Sequence, residues 1–152
     1  MVIISVEGGL PCQEIRGPED VGDELVDLLG GLTQETVIAI SLGREGRVLG
    51  LDVVALGSSW RACIEFQDIF TSVCRREGAA VIVAHNHPSG LTSPSKADLD
   101  FSTRLLDAGR FLGIEVVDHL IVTTKSWRSL KESTRVWPRV VLAQPRARFS
   151  QG

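Results

Sequence analysis

The chain has 152 residues, 43% apolar and 23% charged, the balance of one soluble globular domain large enough to bury its own core. Its net charge of −3 gives no overall attraction to nucleic acid. No run approaches the roughly 20 apolar residues of a membrane span, and the N-terminus lacks the basic region and long apolar stretch of a signal peptide.

Residues 2–6 can form a short edge strand. "GPEDVGDELVDLLGG" reads as a helix: Pro18 lies near its first position, acids crowd its first turns, and Val21, Leu25, Leu28 and Leu29 form an apolar stripe before Gly30 and Gly31. "ETVIAISLGREGRVLGLDVVAL" is two apolar runs about a turn at 43–46, a hairpin. "EFQDIFTSVCRREG" places Phe66, Ile69, Phe70 and Val73 on one helical face, with Gly78 as the stop. "AAVIVA" is short and wholly apolar, as a central strand is. In "PSKADLDFSTRLLDAGRFLG" the stripe is Phe101, Leu105, Ala108 and Leu112, and Gly113 ends the helix. "IEVVDHLIVTT" is a further strand, and Trp127 opens a shorter segment. Hairpin strands mixed with helices predict an α/β layer structure with a mixed sheet. The chain lacks G-x-G-x-x-G, and its first two long strands are joined by a turn, so a Rossmann alternation is disfavoured.

Charge is uneven. Residues 1–124 carry 9 basic and 18 acidic side chains, and residues 125–152 carry 7 basic and one acidic. The expected organisation is one domain over 1–142, with its core at about 17–132, and a loose basic tail over 143–152. Cys12, Cys63 and Cys74 form no C-x-x-C pair, which points to reduced thiols and a cytoplasmic setting.

The chemistry concentrates in "VIVAHNHPSGLTSPSKADLD". Residues i and i+2 of a strand share a face, so His85 and His87 point the same way if the strand runs through Asn86. Pro88 then ends the ladder. Seven residues separate His87 from Ser95, and two more separate Ser95 from Asp98 in the first turn of the next helix. "SPSKAD" is a helix N-cap with Ser95 and Asp98 in capping-box positions. Capping and ligation are compatible, because a carboxylate held by helix geometry is pre-positioned. Two imidazoles and one carboxylate are a common catalytic zinc set that leaves a fourth position for water, whose pKa zinc lowers to roughly 7. Taken singly, each of these residues also has an ordinary structural role.

"HNHPSGLTSPSKAD" resembles the H-x-H, seven residues, S, two residues, D motif of the JAMM/MPN+ metalloproteases, and its wording is similar to the RadC-like branch. "LTQETVIAISLGREGRVLG" and "AGRFLGIEVVDHLIVT" extend the resemblance over roughly residues 17–132. It implies a JAMM/MPN-like, cytidine-deaminase-like mixed β-sheet flanked by helices. It implies Zn²⁺ on His85, His87 and Asp98, Ser95 as a donor to the oxyanion, and Glu35 as the general base. Spacing alone does not select Glu35 over Glu45, Glu65 or Glu77. The "DH" at Asp118 and His119 also recurs in the branch and is expected to be structural. "SSWRACIEFQDIF" departs from the branch's His-Pro-Arg lead-in, and little chain precedes residue 17 to hold the helical region common there.

The expected activity is zinc-dependent cleavage of a peptide or isopeptide bond, with a peptide or ubiquitin-like conjugate as substrate. The alternative is a non-catalytic zinc-containing binding module in a protein or nucleic-acid assembly, its basic tail meeting the partner. A nuclease fits less well, because phosphodiester enzymes favour oxygen-rich Mg²⁺ sites.

Overall fold

A computed structural model describes residues 4–5, 10–58 and 60–138. The basic tail expected at 143–152 lies outside the described residues, as does most of the edge strand expected at 2–6. Strand β1 (Ile4–Ser5) is what is described of that strand, and it pairs with β3 (Val48–Leu56) at the sheet edge. The predicted hairpin is β2 (Thr36–Leu42) antiparallel to β3. Glu45 and Gly46, both at positive φ, turn the chain between them. Strand β4 (Ala80–Asn86) lies antiparallel to β2 and parallel to β5 (Glu115–Val122), and β6 (Trp127–Ser129) closes the far edge. The order is β1-β3-β2-β4-β5-β6, a mixed sheet with β4 inside it.

Helix α1 (Gly22–Leu29) covers one face. Helices α3 (Phe66–Arg75) and α4 (Lys96–Leu112) cover the other, with the single turns α2 (Trp60–Cys63) and α5 (Leu130–Ser133) beside them. Strand alternation divides the core accordingly. Val81 and Val83 pack with Ile69, Phe70, Phe101 and Leu105, while Ile82 and Ala84 pack with Val21, Leu25 and Leu29. β4 is buried on both faces, which is why its sequence reads as a continuous apolar run.

Three expectations need correction. Pro18 belongs to a separate 3-10 turn, Pro18–Asp20, and α1 begins only at Gly22. Leu28 is 40% exposed, because Val21, Leu25 and Leu29 form a narrow i, i+4 stripe and Leu28 lies on its flank. Leu112 is 53% exposed. The inward contact of that last turn is made by Gly109, where a Cβ would stand 2.6 Å from the Ile114 carbonyl oxygen and 2.8 Å from Val116. Gly113 then turns the chain away at φ 72°. Cys12 and Cys74 are free thiols. Among the described residues no helix is long and apolar enough to cross a membrane.

Candidate metal centre

The centre is built at the C-terminal end of β4. The alternation that sends Val81 and Val83 toward α4 sends His85 the same way, and it continues to His87, whose N–H donates to the Val122 carbonyl at 2.8 Å. The loop 88–95 returns the chain to α4, where Ser95 is the N-cap. Its hydroxyl oxygen accepts from the Asp98 N–H at 3.1 Å, and its own N–H donates to Asp98 Oδ2 at 2.8 Å. This capping box, worth about 1 kcal/mol, fixes Asp98 with no exposed surface. The positive end of the helix dipole favours its carboxylate there.

His85 Nε2 lies 2.9 Å from His87 Nε2 and 3.4 Å from Asp98 Oδ1, and His87 Nε2 lies 3.3 Å from Asp98 Oδ2. Metal–ligand bonds of about 2.0–2.2 Å give a tetrahedron with edges of about 3.3–3.6 Å, so the three groups already stand near the spacing of one coordination sphere. His87 Nδ1 donates to the Leu91 carbonyl at 2.8 Å, which leaves its Nε2 as the lone-pair nitrogen. Two ring lone pairs this close repel unless a proton or a metal ion lies between them. The donor set therefore fits a divalent ion, and the His85, His87, Asp98 group can hold one.

Behind His85 runs a buried relay. His85 Nδ1 lies 2.7 Å from His119 Nε2, and His119 Nδ1 lies 2.6 Å from Ser102 Oγ. For His85 to offer a lone pair at Nε2, its Nδ1–H must donate to His119, and the His119 Nδ1–H then donates to Ser102. His119 faces this side because of a register shift between Val81↔Val116 and Ile82↔Asp118, which makes Val117 an extra residue in β5. His119 thus touches His85 directly. Its neighbour Asp118 accepts from Ser129 Oγ and the Lys131 N–H, a purely structural bracket.

The electrostatics agree with ligation. Burial pushes the His85 imidazole below its ordinary pKa and His119 well below. Burial also works to raise the Asp98 carboxyl. Without a metal, contact with the protonated imidazoles of His85 and His87 and the bond from the Ser95 N–H overcome it and hold Asp98 far below the usual carboxylate range. The more exposed His87 is raised, chiefly by its bond to Asp98.

Glu35 lies one residue ahead of β2 rather than opening it. Continuing the pairing Val37↔His85 by two residues sets it opposite His87. Asn86, between the two histidines and facing the other way, anchors that approach. Its Oδ1 accepts from the Thr36 N–H at 2.6 Å, and its Nδ2 donates to the carbonyls of Leu32 and Gln34. Glu35 does not touch the three ligands directly but is joined to them by Arg61. Nη1 of Arg61 donates to Glu35 Oε2 at 3.0 Å, while Nε and Nη2 both donate to Asp98 Oδ1, the former at 2.8 Å. The guanidinium lies 4.4 Å from the ring centroid of the buried Trp60, which in turn packs on His85. Sequence reasoning missed Arg61, Ser102 and Asn86 and gave Trp60 no role. A basic residue in a single-turn helix has no periodicity to announce where it points.

Comparison with known proteins adds relatives of the same kind. A UPF0758 protein of Moorella thermoacetica is 43% identical over 118 residues, and one of Chloroflexus aurantiacus is 42% identical over 118. A UPF0758 protein of Geobacillus thermodenitrificans is 38% identical over the same length. Each alignment takes in 78% of this chain and 52% of the relative, so the chain spans about half the length of the curated relatives it matches. The profile described as RadC-like JAB domain matches residues 15–135, from Ile15 through the stretch that carries His85, His87 and Asp98 to two residues past α5, and by that span the chain belongs to the RadC-like JAB domain family.

Proposed function

We propose that this chain is a zinc-dependent hydrolase of the JAMM class that cleaves a peptide or isopeptide bond. The observation that carries this is the convergence of His85, His87 and Asp98 at ligand spacing in a JAB domain, a hydrolase superfamily, with a carboxylate bridged to them through one arginine. Zinc, when bound, supplies a Lewis acid that acidifies water and polarises a carbonyl. The chain's own groups do the rest. Glu35 takes a proton from the attacking water and returns it to the leaving amine, so water adds across the C–N bond to give acid and amine. Ser95 uses its oxygen lone pair in the cap, which leaves its O–H hydrogen to donate to the carbonyl oxygen as negative charge develops there. The relay from His85 through His119 to Ser102 holds the ligating tautomer.

The test begins with metal content. About one zinc per chain by elemental mass spectrometry is expected, lost in His87→Ala. Glu35→Gln should keep the zinc and lose about 10²–10⁴-fold in amide cleavage. A Glu35→Gln variant as active as the parent would remove Glu35 from the mechanism. A folded chain that takes up no zinc would leave a binding module acting through partner contacts.

A further inference from the structure

Arg61 holds the same atoms that a metal ion would need. Its Nε and Nη2 both bond Asp98 Oδ1, and Nη2 also lies 3.4 Å from His85 Nε2. Asp98 Oδ2 is committed to the Ser95 N–H, so Oδ1 is the oxygen that, among the described residues, takes its hydrogen-bond donors outside the imidazole pair from Arg61. A divalent ion on His85, His87 and Asp98 would stand within a few ångströms of a fixed positive charge, with Asp98 Oδ1 the atom that both cations seek. The guanidinium in its observed position and the ion compete for the same oxygen and the same ring nitrogen.

Arg61 is also placed to leave. Its side chain is 21% exposed. It already reaches a second anion, Glu35, through Nη1 at 3.0 Å, and it lies over the Trp60 ring, a platform that does not depend on Asp98. It is carried by α2, one turn long, rather than by a strand of the sheet. These features suit a partner that changes hands.

We propose that Arg61 is a tethered competitor for the metal: it neutralises Asp98 until an ion displaces it, and it thereby sets the affinity of loading. The proposal rests on the metal-centre reading above. Displacement breaks two charge-assisted hydrogen bonds to one carboxylate oxygen, so the competition should weaken zinc binding by about tenfold or more.

The test is zinc titration of the full, chelator-stripped chain against a chromophoric chelator, for the parent, Arg61→Met, Arg61→Lys and His87→Ala. Arg61→Met keeps an apolar stem over Trp60 and removes the charge. It should bind zinc at least about tenfold tighter than the parent, with Arg61→Lys between them, since an ammonium lacks the planar fork. Thermal melts supply an independent readout. Metal-free Arg61→Met should melt below the metal-free parent, because Asp98 loses its cation, and zinc should raise its midpoint by more. Equal or weaker zinc affinity in folded Arg61→Met overturns the proposal and leaves the metal centre standing. If Arg61→Met does not fold, Arg61→Lys decides on the same criterion. Failure of parent and variants alike to take up zinc overturns both readings together.

Discussion

Two arginines reach buried aspartates in this domain, and they do so differently. Arg76, just past α3, meets Asp52 of β3 as a matched fork: Nε on Oδ2 and Nη2 on Oδ1, both at 2.9 Å. Gly50 makes the room, since a Cβ there would stand 2.0 Å from Arg76 Nη1. Arg61 instead puts two nitrogens on one oxygen of Asp98, whose other oxygen serves a helix cap. The two pairs are buried to a similar degree, with side-chain exposures of 25% and 3% against 21% and 0%. Burial therefore does not separate a structural ion pair from an exchangeable one. The number of carboxylate oxygens engaged does, together with what else competes for them.

The largest effect that would sharpen the contrast is on stability. Arg76→Ala takes two charge-assisted hydrogen bonds from buried Asp52 and should cost about 2–3 kcal/mol in denaturant unfolding, the same with and without zinc. A loss that zinc repaired would place Arg76 in the metal centre. Next comes the relay. His119→Leu removes the acceptor behind His85 and should weaken zinc binding about 10–100-fold while leaving one zinc per chain at saturation. Unchanged affinity would make His119 a packing residue only. The smallest effect is in pH. His85 is kept neutral by burial and Asp98 is ionised, so His87, with its raised pKa, is the ligand that must shed a proton. Zinc affinity should fall about tenfold per pH unit as the pH drops through that raised value, beginning above 6.5, and be flat at higher pH. The sign follows because the proton and the ion compete for one nitrogen. A profile flat down to pH 5 would mean that His87 is not a ligand.

What could be read from the sequence followed local rules. His85 and His87 share a face through strand periodicity, and Ser95 with Asp98 is a capping box by spacing alone. The order of strands and helices followed from apolar runs and turn residues. What could not be read depends on long-range or irregular geometry. Glu35 is fifty residues from His85 and was selected by resemblance, because only the β2–β4 register brings it near. His119 reaches His85 through an extra residue in β5, and strict alternation carries no sign of such a slip. Arg61 shares no face with anything regular, and its neighbours in "SSWRACIEF" give no period to extrapolate. Leu112 failed for the opposite reason: its period was right, but Gly109 had already taken the contact.

Asn86 ties the loop carrying Glu35 to the strand carrying His85 and His87, through one side chain on three backbone groups. Glu35 and the two histidines are thereby ruled off the same strand. A slide of β4 along β2 would have to break these three bonds, so the anchor opposes the slip that would change the spacing between Glu35 and the two imidazoles. One amide thus adds a side-chain lock to the register that the β2–β4 ladder already holds.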